Sequence, residues 1–173
     1  AVTPLGHSGQ ETGKTLVAGG SAGRRVTHFD PADYPTQFAC SVVDFEPARY
    51  MEAKEAKRLG SVTQYAWVAT QEALANSGLD LGPMDRDRVG IEMGSAFGAL
   101  DLLEEQVLAL EKGGPRRIKP TVGPSVLIST TPCFIAISLG VTGPVDSRMT
   151  ACATGITSLG EAMRRLQRHE VDV

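Results

Sequence analysis

The sequence lacks an excess of charge of either sign: 17 Lys and Arg stand against 20 Asp and Glu, a formal charge of -3. Nucleic-acid binding built on bulk positive charge is therefore not expected. Long apolar runs are missing too, since none approaches the roughly 20 residues that a membrane helix needs, and no membrane partner is expected. The opening Ala1-Val2-Thr3-Pro4 is neither a charged-then-apolar signal sequence nor an initiator Met, so the chain reads as a cytoplasmic protein cut from something longer. Cysteine and histidine are scarce. Cys40, Cys133 and Cys152 form neither an even disulfide framework nor a close-spaced metal pair, and an intracellular chain keeps its thiols reduced. His7, His28 and His169 are equally scattered, with no HExxH box or i,i+4 pair to hold zinc. No metal site is expected.

What is present suits one mixed domain over residues 1–173. Apolar residues make up 42% of the chain, with 19 Gly and 10 Pro, and a globular chain of this length hides roughly 70% of the surface it exposes when unfolded. The Gly-, Ser- and Thr-rich start allows one short helix between Glu11 and Ala18. From about Pro47 to Ser77, Leu59, Val62, Ala66, Ala69 and Ala73 recur at helical spacing, which predicts one long helix stopped by Asn76-Ser77-Gly78. Arg88–Gly94 reads as a short strand. Ala99–Lys112 reads as a helix with Leu100, Leu103, Val107 and Leu110 on its inner face. Pro124–Leu139, nearly uncharged, predicts a buried helix. An extended segment Val145–Thr150 and a helix Cys152–Gln167 follow, the latter with Ile156, Leu159, Ala162, Met163 and Leu166 inward, and Val171–Val173 starts another strand. The order points to an α/β fold with a mixed or parallel sheet.

Two motifs invite chemistry. Gly9-Gln10-Glu11-Thr12-Gly13-Lys14-Thr15 resembles a phosphate-binding P-loop but is one residue short between its glycines, and no buried strand precedes it. It reads as a solvated turn entering a short helix. Met149-Thr150-Ala151-Cys152-Ala153-Thr154-Gly155 places a thiol where an extended segment becomes a helix. The partial positive charge at a helix N-terminus favours thiolate, and can lower a cysteine pKa from about 8.5 to between roughly 3.5 and 7.5. Small neighbours leave room for a substrate carbonyl. Free cysteine is also among the most buried residue types, so local context leaves two readings open, nucleophile and small core hydrophobe.

The ordered series Pro4-Leu5-Gly6, His28-Phe29-Asp30, Gln64-Tyr65, Ser77-Gly78-Leu79, Gly94-Ser95, Gly113-Gly114-Pro115, Pro124-Ser125, Gly140 to Pro144 and Thr150-Ala151-Cys152 resembles the β-ketoacyl-acyl carrier protein synthases. The nearest types are the elongating enzymes and the polyketide ketosynthases. The likeness is collinear over essentially the whole chain. It implies a thiolase-like α/β fold, a mixed sheet with layered helices, of which residues 1–173 form the N-terminal half, with the C-terminal half and its two catalytic histidines absent. It implies that Cys152 is the nucleophile that accepts an acyl group and that Ala151 lies at the substrate.

The same resemblance puts Phe97 where acyl-chain depth is limited, and Val122 where a large aromatic often crosses the dimer interface. It makes Lys54, Lys57, Arg58, Arg116 and Arg117 candidates for contact with acyl carrier protein. A homodimer is implied, a heterodimer being the alternative. No cofactor is implied beyond the phosphopantetheine carried by that partner. A noncatalytic subunit of the chain-length-factor kind shares the fold and is the competing reading, against which the retained Cys152 argues. The chain departs from family practice at Cys133-Phe134, usually Gly-His, and at Gly60, usually Asp.

Overall fold

The computed structural model describes residues 1–173. Helix α1 (Gly9–Val17) begins where the Ser8 hydroxyl accepts the Glu11 N–H, and it contains the P-loop-like stretch. Those glycines therefore open a helix and do not form a loop around a phosphate. Strands β1 (Gly23–Arg25) and β2 (Phe38–Cys40) make a small antiparallel ladder. A four-residue helix α2 (Ala53–Ala56) and the long α3 (Ser61–Ser77) follow.

The single helix expected over 47–77 is thus broken. Glu52 and Gly60 have extended backbones, with ψ of 136° and 159°, and Gly60 is pressed so closely against Ala99 that a Cβ there would overlap the alanine side chain. With no side chain of its own at the N-cap, α3 is capped from elsewhere: Asp101 accepts from the Ser61 N–H at 3.1 Å and from its hydroxyl at 2.6 Å. At the other end Gly78 takes the left-handed stop, φ +68°, where glycine has no steric penalty.

Strand β3 (Ile91–Gly94) leads through a turn to α4 (Leu100–Gly113). The apolar stretch expected to be one helix over 124–139 is two, α5 (Val122–Val126) and α6 (Thr130–Leu139), because Leu127 is extended. Gly98 sits at φ +64° with the Val126 carbonyl against its α-carbon, leaving no room for a side chain, so the β3–α4 turn and the end of α5 fix one another. Pro132 falls in the first turn of α6, where its missing N–H removes no helical bond.

Strand β4 (Val145–Arg148) pairs in parallel with β3, Ile91 opposite Val145 and Gly94 opposite Arg148. A single 3-10 turn, Ala151–Ala153, then runs into α7 (Thr154–Gln167). The two strand pairs are separate ladders and not one mixed sheet. Val171–Val173 forms no strand, yet Gly90 donates to the Val173 carbonyl and Asp172 to that of Arg88, both at 2.8 Å, and the Arg88–Asp172 ion pair holds the segment beside β3.

The core lies on one side of the β3–β4 pair, where Val89, Ala136 and Val141 are buried with Ile91, Leu139 and Val145 around them. Ile135 is fully enclosed, and Thr63 and Thr131 hydrogen bond across α3 and α6 at 2.8 Å. The stripes expected to face inward do not. Leu100, Leu103, Val107 and Leu110 of α4 are exposed, as are Ile156, Leu159, Met163 and Leu166 of α7. The buried positions of these helices are Leu102, Gln106, Thr154 and Ser158. On α3, Thr63 and Val68 are the buried residues, and Ala73, expected inside, is exposed.

Candidate functional site

Cys152 stands four residues beyond the end of β4, in the 3-10 turn that opens α7, and it is exposed. It is therefore not a core hydrophobe in this chain. The residue before it, Ala151, has φ +50°, a left-handed conformation that costs a side-chain-bearing residue roughly 1–2 kcal/mol. Such a sharp turn swings the next side chain out of the path of the chain.

Hydrogen bonds anchored on the buried Thr154 hold the turn. Thr154 is buried at the base of α7 and its hydroxyl accepts the Thr150 N–H at 2.9 Å. The Thr150 hydroxyl donates to Thr157 at 3.0 Å, and the Ala153 N–H returns to the Thr150 carbonyl at 3.1 Å. Gly94 of β3 lies flat against the Arg148 carbonyl and the Thr154 methyl, with no space for a Cβ.

Phe97 belongs to the turn after β3, and β3 and β4 run parallel, so Phe97 and Cys152 leave the same end of the strand pair. Phe97 is 75% exposed, and Val122, the first residue of α5, is half-buried. Lys54 lies in α2 with Lys57 and Arg58 just beyond it, while Arg116 and Arg117 lie in the turn after α4. All five are exposed, and none enters a salt bridge although Glu52 and Glu55 are close in sequence.

The histidines stand elsewhere. His7 Nε2 is 2.8 Å from the Val43 carbonyl, its ring edge-on to Phe45. His169 follows α7 at its far end, about 21 Å along the helix axis at 1.5 Å per residue. No three His, Cys, Asp or Glu side chains cluster as a metal-binding set. Cys133, expected within a buried helix, is exposed on the wall of a groove of about 360 Å³ with Leu59, Leu127 and Ile137. Phe134 meets Trp67 edge to face at 5.6 Å.

Four charged residues not singled out by the sequence patterns lie between the β3–β4 pair and the C-terminal part of α7. Glu92 of β3, its side chain only 4% exposed, takes Arg148 Nε at 2.7 Å and Arg165 Nε of α7 at 3.4 Å. Arg165 also binds Asp146, and the Arg148 guanidinium lies 4.0 Å from that carboxylate. The hydrogen bond and charge of Glu92 raise the pKa of Arg148 above the usual arginine value. In sequence Asp146 and Arg148 show only as charges two apart in a short strand, and nothing links them to Glu92 or Arg165.

Residues 1–173 match the family model described as β-ketoacyl synthase, N-terminal domain, and the chain belongs to that family. It is 33% identical over 171 residues to 3-oxoacyl-(acyl-carrier-protein) synthase 2 of Coxiella burnetii, covering 99% of this chain and 41% of the relative. To the synthase of the same name from Vibrio harveyi it is 34% identical over 165 residues, 95% of this chain and 40% of that protein. The solved ishigamide ketosynthase/chain length factor is similar in fold, with a TM-score of 0.88, 26% identity, and coverage of 98% of this chain and 43% of the other. The thiolase-like fold of ketosynthases is thereby established. The chain spans about two fifths of the length of these relatives.

Proposed function

We propose that this chain is the nucleophile-bearing half of an elongating β-ketoacyl-acyl carrier protein synthase, and that Cys152 is the residue it acylates. The observation that carries this reading is the exposed thiol on a left-handed turn between a parallel strand and the N-terminus of a 14-residue helix. There the sulfur attacks the carbonyl of an acyl thioester, the carrier thiol departs, and a thioester forms on Cys152. Backbone N–H groups at the start of α7 and the helix dipole face the oxyanion.

The acyl-enzyme then meets the carbanion left when a malonyl thioester loses carbon dioxide, giving a β-ketoacyl product and a free thiolate. That chemistry needs no metal or redox cofactor. The residues that assist decarboxylation belong to the rest of the proposed enzyme, so the 173-residue chain alone is expected not to catalyse condensation. Acyl carrier protein is the proposed partner, as the relatives' names suggest, docking by the unpaired Lys54, Lys57, Arg58, Arg116 and Arg117, where complementary charge steers encounter. A homodimer in the cytoplasm completes the reading, with Phe97 and Val122 shaping the acyl cavity and Ala151 beside the bound chain.

A chain-length-factor role is the second reading, favoured only by the likeness to a ketosynthase/chain length factor structure. One experiment separates them. The complete protein is incubated with an acylated carrier protein and the adduct mapped by mass spectrometry. An acyl group on Cys152 supports the synthase, and labelling at Cys40 or Cys133 with none at Cys152 overturns it.

A further inference from the structure

Parallel strands flanked by helices on both sides ordinarily carry near-continuous apolar runs. In this β3–β4 pair only one face follows that pattern. Ile91 and Val145 face the core packed on α6. On the other face Glu92 and Asp146 are register partners, directly opposite one another, and Arg148 follows Asp146 on the same side. Two carboxylates opposed in this way repel, so the face holds together only because the two arginines lie among them.

Each arginine bridges a different junction. Arg148 is the last residue of β4, and its bond to Glu92 ties the strand end to β3. Arg165 is in the last turn of α7 and reaches both Glu92 and Asp146, tying the helix to the sheet. Glu92 and Asp146 each meet both arginines, and of the two Glu92 is the one almost fully enclosed, 4% exposed against 43%. Its Oε2 atom is buried without a hydrogen bond of good geometry, so its position depends on charge attraction from Arg165.

Replacing buried ion clusters by apolar residues often costs little stability, and where they are kept their best-attested use is to fix one register among several. Here the register is that of α7. The helix is held at its N-terminus by Thr154 against Gly94 and Thr150 and near its C-terminus by Arg165. Between those points its sheet-facing side is small, Ser158 and Ala162, and offers little shape to stop it sliding. The strained turn at Ala151 lies between the two anchored elements.

We infer that Glu92, through Arg148 and Arg165, is a positioning residue for Cys152, setting where α7 sits on β3–β4 and so where the thiol meets the thioester carbonyl. This deepens the proposed synthase reading and rests on it. A displacement on the order of 1 Å at a reacting group can cost about a hundredfold in rate. The loss falls on the acyl-transfer step and not on carrier binding, because the carrier-docking residues proposed above lie on other elements.

The test uses the complete protein with Glu92→Gln, which keeps shape and removes charge, and Arg165→Lys, which keeps charge and removes the fork. Two rates are measured for Cys152 at a temperature where circular dichroism shows each variant folded: acylation by acyl carrier protein, which needs the oxyanion geometry, and alkylation by iodoacetamide, which needs only an accessible thiolate. Expected for both variants is a drop of about tenfold or more in the acylation rate constant with KM for the carrier unchanged, and alkylation within about twofold of the parent. A role confined to stability would lower the melting temperature and leave the ratio of the two rates alone. Should Glu92→Gln fail to fold, Arg165→Lys carries the test by itself. Acylation within about twofold of the parent in a folded variant overturns the inference while leaving the synthase reading standing. Absence of any acyl adduct on the parent's Cys152 overturns that reading instead.

Discussion

The cap exchanged between Gly60 and Asp101 gives a stability prediction with a defined sign and size. Asp101, on the first turn of α4, supplies α3 with the carboxylate that Gly60 cannot, through two hydrogen bonds to Ser61. Losing a helix cap costs about 1 kcal/mol, within a range of about 0.5–2, and the partial exposure of Asp101 puts Asp101→Ala near the middle of that range. Gly60→Asp drives its Cβ into Ala99 and sets a second carboxylate near Asp101. Overpacking of that kind costs about 1–3 kcal/mol. In the double variant the introduced carboxylate caps its own helix without a like charge nearby, so the double should cost less than the sum of the singles. At about 2–4 °C per kcal/mol for a domain of this size, the singles lie within reach of a circular-dichroism melt. There is a pH arm as well. Burial alone would raise the Asp101 pKa, but hydrogen bonds from the Ser61 hydroxyl and N–H and from the Leu102 and Asp101 N–H groups hold it below the usual range. A depressed folded-state pKa contributes stability above the unfolded value of about 3.9 and loses it as pH falls through the folded value. The gap between parent and Asp101→Ala should be constant from about pH 5 to 7 and shrink below about pH 4. Additive singles, or a gap undiminished in strong acid, would refute the exchange.

Two further outcomes are expected. Ala151→Gly removes the left-handed penalty at φ +50°, roughly 1–2 kcal/mol, against about 0.5–1 kcal/mol for glycine's greater freedom when unfolded, and should raise the melting temperature by about 1–4 °C, whereas a fall of several degrees would show that no strain is stored there. Phe97→Ala in the complete dimer should shift kcat/KM toward longer acyl primers, by up to about fourfold per methylene newly buried at about 0.8 kcal/mol each, and adding Val122→Phe should restore discrimination; if neither change alters chain-length preference, Phe97 does not line the cavity.

The placement of elements was largely legible, because capping and stop signals are local. Gly78 after Ser77 ends α3 as its sequence signals, and it acts within its own turn. The breaks at Gly60 and Leu127 were not legible, because their causes are distant in sequence: Ala99 and Asp101 occupy the space and supply the cap in one case, and Gly98 packs on the Val126 carbonyl in the other. No periodicity window contains both partners. The Cys152 turn lies between these cases. Its helix start was visible from small residues and a following apolar repeat, but the left-handed Ala151 was not, since alanine carries no preference for positive φ.

The inverted helices carry the more general lesson. The repeats on α4 and α7 are real: Leu100, Leu103, Val107 and Leu110 share a face, as do Ile156, Leu159, Met163 and Leu166. A 3.6-residue period shows that a stripe exists and says nothing about what covers it. On α7 the side that meets the sheet is polar, Thr154 and Ser158 with Arg165, because the sheet face beneath it carries Glu92, Asp146 and Arg148. An apolar stripe turned toward that face would take Arg165 from both carboxylates and leave the enclosed Glu92 with Arg148 as its single partner. The ionic layer therefore selects which side of α7 lies down, the apolar side is left outward, and Cys152 emerges where the two meet. The layer that orients α7 on the sheet thus also decides which face the helix turns outward, that of Ile156, Leu159, Met163 and Leu166.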